Sequence, residues 1–395
     1  MTRLMISCGE PSGDLYAGAL VAALRGREPD IDVFGLGGDR LQAAGGRLVA
    51  NFDGLSVTGL TEVLRVLPRS WATMKALIQA ARAEQPDALV VIDYPDFNFR
   101  LMAAVKRLGV PVIYYVSPQL WAWRASRIKT MKKLVDCVLP IFPFEEAIYR
   151  RENMDVRFVG HPLVDLARPS RSRDEFLGGL QLDPSAPVVA MLPGSRPNEL
   201  TRLAPVMIEA VLLVARTIPN AQFIIARAPH LADTLFEGFG LHPTTQSPRG
   251  GGPGLPGITV RIVEGQTDDV LHASDAVVTA SGTATVQTAL HGKPMVVLYK
   301  LSPVTYRLGK PLARVDMYAM VNLIAGERVV LELIQDACTG EAVAAETVKL
   351  LTDTDYRQRM IGKIAEVRSR LGGPGASERA ADAVLHVVHS KRALS

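Results

Sequence analysis

At 395 residues the chain is too long for one ordinary core, so two domains are expected. It is 48% hydrophobic and 21% charged, a globular balance without collagen or coiled-coil signature. The formal net charge of +4 suits anionic substrates or lipid headgroups and is too small to argue for nucleic acid. Cys8, Cys137 and Cys338 are scattered, odd in number and lack a CxxC, which points to a reducing compartment and no zinc site. The start "MTRLMISCGE" is too short an apolar run for a signal peptide. No window reaches the roughly 18 apolar residues of a membrane span. A cytoplasmic protein is expected, with any membrane contact at its surface.

In chain order, strand-like and helix-like stretches alternate, as in βαβ units. "RLMISCGE" reads as a strand and "SGDLYAGALVAALRG" as a helix. "DALVVIDY", a helix near 98–108 and "VPVIYYV" form a further unit, followed by the strand "CVLPIF". "GHPLVDLARPSRSRDE" breaks the pattern and reads as a linker. A second series follows, with strands "APVVAMLP", "AQFIIAR", "ITVRIVEG", "DAVVTA" and "PMVVLYK" and a helix over "PNELTRLAPVMIEAVLLVART". The low-complexity stretch at 242–257 reads as a flexible surface insertion. The expected fold is α/β with two Rossmann-like halves and a ligand in the cleft between them, since ligands sit beyond the carboxyl ends of parallel strands.

Several stretches can carry chemistry. In "CGEPSGDLYAG", Ser12 can cap a helix and Asp14 favours its positive end; the loop is a tight turn or an anion-facing one. "VVIDYPDFNF" sets Asp93 and Asp96 just after a strand. Asp96 suits a helix cap, which leaves Asp93 as the better base for a hydroxyl proton. In "MLPGSRPNEL", Gly194 permits close backbone approach, Pro197 suits the first helical turn, and Arg196 at the helix mouth can clamp phosphate oxygens with two parallel hydrogen bonds. Ser281, Gly282 and Thr283 repeat the device, and two such helix mouths in one half suggest a diphosphate nucleotide. Gln287, one turn past Thr283, reaches a ribose hydroxyl or is simply solvated. His161 in "FVGHPLVD" is a structural hydrogen bonder or a site residue. No GxGxxG is present, which argues against an NAD oxidoreductase.

Two stretches combine apolar bulk with positive charge. Leu60, Val63, Leu64, Leu67 and Trp71 follow helical spacing beside Arg65, Arg69 and Lys75. That is a core stripe or an interfacial helix. "YYVSPQLWAWRASRIKTMKKL" places Trp121 and Trp123 directly before Arg124, Arg127 and three lysines. Trp rings sit at wet–apolar boundaries and the cations attract phosphates or anionic headgroups.

"GEPSGD", "IDYPDFN", "YYVSPQLWAWR", "PFE", "FVGHPL", "LPGSR", "ASGTAT" and "NLIAGERVVLELIQ" occur in this order from residue 8 to about 340. Together they resemble the lipid A disaccharide synthases. The resemblance implies an inverting glycosyltransferase of GT-B type with two Rossmann-like domains facing across a cleft. The donor would be UDP-2,3-diacylglucosamine and the acceptor 2,3-diacylglucosamine 1-phosphate. Transfer to the 6-hydroxyl would give the β-1,6 disaccharide 1-phosphate and UDP, with no cofactor, metal or nucleic acid. Residues 1–170 would hold the acceptor and membrane, and 171–369 the UDP-sugar. A C-terminal helix, about 370–395, would pack back on the first domain.

By position, the resemblance makes Asp93 the candidate base and Arg196 the diphosphate arginine. Gly194, Ser195, Ser281, Gly282, Thr283, Gln287 and Asn322 fall at the nucleotide site. Ser12, Arg124 and His161 are assigned to the acceptor cleft. Val63, Leu64, Leu67 and Trp71 are assigned to contact with anionic lipid on the inner membrane. There are departures: Gln287 stands where an acidic residue is usual, Lys300 for Arg, Val321 for Pro and Pro11 for Ala. The competing readings are a peptidoglycan glycosyltransferase, a UDP-N-acetylglucosamine 2-epimerase, or a non-catalytic two-lobed binding protein.

Overall fold

The structure, a computed structural model, describes residues 1–53, 60–118, 127–229, 231–237, 257–302, 306 and 316–393, with 60–66 described in backbone only. By internal contacts the chain divides into Met1–Asp165 with Leu371–Ser395, and Leu166–Arg370.

The first unit carries strands β1 (Arg3–Cys8), β2 (Asp32–Gly37), β3 (Arg47–Asn51), β4 (Ala88–Ile92), β5 (Val112–Tyr115) and β6 (Cys137–Leu139). All pair in parallel, in the order β3-β2-β1-β4-β5-β6. The central runs "ALVVI" and "VIYY" are apolar without alternation and buried throughout, as a sheet covered on both faces requires. Helices α1 (Pro11–Arg27), α2 (Asp39–Ala43), α3 (Leu60–Glu84) and α4 (Pro95–Lys106) connect the strands. The helix Ala376–Arg392 returns to this unit and packs on α1. Arg27 pairs with Asp382, and Arg392 grips Asp87 with two bonds of 3.0 and 2.7 Å.

The second unit repeats the design. Strands β7 (Val188–Leu192), β8 (Gln222–Arg227), β9 (Thr259–Glu264), β10 (Ala276–Ala280), β11 (Met295–Tyr299) and β12 (Leu331–Ile334) are parallel. Their order, β12-β11-β10-β7-β8-β9, is that of the first sheet read from the other edge. The helix Pro197–Thr217 lays Leu200, Leu203, Met207, Val211 and Val214 on the sheet, an apolar stripe at helical spacing. Each such side chain contributes about 1.5–3 kcal/mol on burial.

The sequence reading omits β2, β3 and β12. The β2 run "DVFGLG" holds two glycines, which weaken a strand signal. Gly35 is needed there because a Cβ would collide with the Ile6 carbonyl of β1. In each sheet the order reverses between two strands, β1 and β4 or β7 and β10, and the turns leaving them are where a ligand is expected.

Candidate active site

Beyond β4, the backbone of Asp93 and Tyr94 is left-handed, with φ of 45° and 50°. Val116, just past β5, shares it at 58°, a genuine outlier for a β-branched residue. Such conformations persist only where surroundings over-determine them, and they cluster at functional sites. The Asp93 N–H donates to the Val116 carbonyl at 3.3 Å. Its own carbonyl accepts from Asn98 Nδ2 at 2.7 Å and from the Tyr114 hydroxyl at 3.0 Å. Asn98 is fully buried, and its Oδ1 accepts from Ser7 Oγ of β1 at 2.7 Å. Residues of β1, α4 and β5 therefore fix the Asp93 main chain, while its side chain is half-buried. Burial, then the negative Asp93, push the Tyr114 hydroxyl well above its ordinary pKa. The Tyr94 ring lies on Gly9, where any Cβ would collide with it, so the turns after β1 and β4 form one surface.

The neighbouring polar groups differ from expectation. Ser12 does not cap α1: Pro11 takes the first helical position, the N-cap is Glu10, and no side chain caps it. Asp14 serves another helix, accepting from the N–H groups of Gly38, Arg40 and Leu41 at 2.7, 2.9 and 3.1 Å at the start of α2. Asp96 is not a cap either. Pro95 starts α4 earlier than 98, and Asp96, in the first turn, pairs with Arg127 at 2.8 Å. His161 is buried, edge-on to Tyr16 and tilted against Phe142, with Nδ1 accepting from the Leu163 N–H at 3.2 Å. Burial lowers its pKa to about 3, so the ring is neutral.

In the second unit, Leu192 of β7 pairs with Thr279 of β10, so two turns leave one sheet edge side by side. Gly194 has φ 109°, and a Cβ there would collide with the Glu199 carboxylate. Glu199 Oε2 accepts from the N–H groups of Ser195 (3.0 Å) and Arg196 (3.3 Å), and Oε1 lies 3.3 Å from Arg196 Nη1. The protein's own carboxylate thus takes the anion position expected at this helix mouth. The Arg196 side chain stays 36% exposed. Burial, then Tyr318 and Glu199, raise the Tyr299 hydroxyl, with Arg196 acting the other way, so Tyr299 belongs to this cluster. Tyr299 stacks on Tyr318 at 5.4 Å between centroids, and Ser281 Oγ donates to the Tyr318 carbonyl at 2.9 Å. Gly282, at φ 149°, has no atom within 4 Å of where a Cβ would stand, and Thr283 opens the helix Thr283–Leu290.

Asn322 is fully buried and fully engaged. Nδ2 donates to the Val330 carbonyl (3.0 Å) and Glu332 Oε1 (2.9 Å), and Oδ1 accepts from the N–H groups of Val329 (2.8 Å) and Val330 (2.9 Å). That is its whole hydrogen-bonding capacity, so its side chain fastens the helix Met320–Ala325 to β12. Gln287 donates to Asp268 Oδ1 at 2.7 Å, and His291 Nε2 lies 2.8 Å from the same oxygen.

Arg124, with Trp121 and Trp123, lies outside the described residues, as does 242–256; so do the side chains of Val63 and Leu64. On α3, Leu67 is 36% and Trp71 66% exposed, while Met74, Leu77 and Ala81 are buried. No described helix is long and apolar enough to cross a membrane. Among the described residues no group of three or more His, Cys, Asp or Glu could hold a metal ion.

Sequence reasoning missed Asn98, Glu199, Tyr299 and Asp268. Glu199 carried a readable signal, since a carboxylate three residues past a helix start is the capping-box spacing. Asn98 carried a weaker one, an amide on a helix face otherwise apolar.

A family model described as Lipid-A-disaccharide synthetase matches residues 4–387. A lipid-A-disaccharide synthase of Geobacter metallireducens is 42% identical over 393 residues, 99% of this chain and 98% of its own. One from Coxiella burnetii is 39% identical, covering 98% of this chain and 99% of its own. Among solved structures, a UDP-GlcNAc 2-epimerase from Neisseria meningitidis bound to UDP-GlcNAc aligns with TM-score 0.66 at 14% identity, over 98% of this chain and 100% of that one. Acinetobacter baumannii MurG aligns with TM-score 0.56 at 13% identity, over 98% and 100%. These distant structures share the fold: two parallel sheets of the GT-B kind. The full-length family match and the 42% identity carry the assignment, and the chain belongs to the lipid-A-disaccharide synthase family, a UDP-sugar glycosyltransferase.

Proposed function

We propose that the protein transfers 2,3-diacylglucosamine from UDP-2,3-diacylglucosamine to the 6-hydroxyl of 2,3-diacylglucosamine 1-phosphate, with inversion, giving the β-1,6 disaccharide 1-phosphate and UDP. Asp93 takes the proton of the 6-hydroxyl as its oxygen attacks the anomeric carbon; the bond to the UDP oxygen breaks in the same displacement. Positioned proton transfer of this kind is worth about 10²–10⁴-fold. Arg196 meets the charge that develops on the leaving diphosphate, a role worth roughly 10²–10³-fold in comparable sites. Ser281, Gly282 and Thr283 hold the nucleotide, with the mouth of the helix Thr283–Leu290 favouring negative charge. The observation that carries the base assignment is the Asp93 main chain, held left-handed by Asn98 and Tyr114 beyond β4.

The acyl chains keep both substrates in a membrane, so the enzyme works as a peripheral protein on its cytoplasmic face. Exposed Leu67 and Trp71 on α3, with exposed Arg69 and Lys75 beside them, support that contact. The first unit serves as acceptor and membrane domain, the second as UDP-sugar domain. The test is turnover of purified protein with both substrates beside Asp93→Ala and Arg196→Ala. Disaccharide from the wild type, with both variants down by orders of magnitude, is expected. An active Asp93→Ala would discard the base; no disaccharide from the wild type would discard the reaction.

A further inference from the structure

We propose that Asp268 binds the vicinal diol of the nucleotide ribose, and that Gln287 and His291 position its carboxylate for this. The inference rests on the reading that the second unit takes a UDP-sugar. Asp268 follows β9 and Gln287 follows β10, so both leave the carboxyl edge of one sheet. Gln287 lies four residues past Thr283, about 6 Å along the helix from the mouth assigned to the diphosphate. A ribose reaching down from that phosphate arrives at the level of Gln287.

A diol offers two hydroxyl protons and needs acceptors, and a carboxylate accepts more strongly than an amide. Gln287 alone is poorly suited, because its NH₂ is turned toward Asp268 at 2.7 Å. Asp268 is well suited. Both described donors, Gln287 Nε2 and His291 Nε2, converge on Oδ1. A carboxylate has about four lone-pair sites, and among the described residues none donates to Oδ2. The Asp268 side chain is 27% exposed, whereas the His291 ring behind it is 4% exposed. The neighbouring Asp269 cannot substitute. It is buried and accepts from the N–H and Oγ of Ser170 and the N–H of Arg171 at 2.7, 2.8 and 3.0 Å. The negative charge near the ribose is thus carried by the helix Thr267–Ala273, and the helix Thr283–Leu290 supplies the amide that aims it.

Calorimetric titration of the full-length protein with UDP and with 2′,3′-dideoxy-UDP tests this. The wild type should bind UDP about tenfold or more tightly than the dideoxy analogue. Asp268→Asn should lose about that factor for UDP and leave the analogue unchanged. Asp268→Asn with Gln287→Glu restores a carboxylate across the same hydrogen bond and should recover most of the UDP affinity. Equal weakening of both ligands in Asp268→Asn would make the cluster a mere tie between helices and overturn the proposal. So would an Asp268→Asn that binds UDP like the wild type, or a wild type blind to the diol. A wild type that does not bind UDP overturns the donor reading itself, and is thereby distinguished from failure at Asp268 alone.

Discussion

The turn after β4 and the turn after β7 each leave the point where the strand order of their sheet reverses, yet they are secured in opposite ways. The Asp93 turn is locked from inside, by Asn98, Tyr114 and the Val116 carbonyl, at the cost of three non-glycine residues in left-handed backbone. The Gly194–Arg196 turn uses a glycine for its unusual φ and is clasped by the partly exposed Glu199. A base must sit within hydrogen-bond reach of one proton, which rewards rigidity. A charge clamp can exchange one anion for another at the same N–H groups, which rewards a light hold.

The sharpest way to break this contrast is Asp93→Gly. Glycine is at ease at φ 45°, so the melting temperature should hold within a few degrees while turnover falls by about 10²–10⁴-fold. Surviving turnover would leave the locked turn without its purpose. Next comes Arg196→Ala, expected to cost about 10²–10³-fold, with Arg196→Lys recovering only part because it lacks the planar fork. Full recovery by lysine would reduce the clamp to a point charge.

Asn98→Leu should lower unfolding stability by about 2–4 kcal/mol in a denaturant titration, since Ser7 Oγ and the Asp93 carbonyl each lose a buried partner. A neutral result would mean the turn is held by other means. Acid sharpens the comparison from a different side, because the locked unit also buries neutral His161. Its folded pKa lies below the unfolded value, so the unfolded chain binds the extra proton as pH falls below about 6.5. Stability is complete above that pH and declines toward about pH 3, by about 2 kcal/mol at pH 5. His161→Gln, which keeps an acceptor and cannot titrate there, should flatten that part of the profile. The smallest effect belongs to Glu199→Ala, about 1 kcal/mol of stability from a lost capping box. A much larger loss would show that the clasp is as structural as the lock.

The fold class was legible because buried parallel strands write themselves as unbroken apolar runs between helical patterns, as "ALVVI" and "VVAML" do. Chain-local chemistry was legible in part. The glycine at 194 and the helix opening at Pro197 were both readable, whereas Pro11 and Pro95 moved two helix starts and displaced the caps expected at Ser12 and Asp96. What stayed hidden were pairings across distance. Ser7 with Asn98 spans 91 residues, Asp14 with α2 spans 24 or more, and Asp268 with Gln287 spans 19. Asn322 looked like a ligand-facing amide because nothing local reveals that four groups of the 329–332 segment satisfy it.

The return of the helix Ala376–Arg392 to α1 sets the order in which the protein can be completed. A ribosome releases all six strands of the first sheet early, then the whole of Leu166–Arg370, and only afterwards the helix that covers α1. The second unit is one uninterrupted stretch and can fold as soon as it emerges. The first must wait, with the side of α1 that this helix covers left bare, until residues 376–392 have emerged. A nascent chain arrested before residue 376 would therefore display a finished second unit beside an unfinished first, and that interval is when a chaperone would find it.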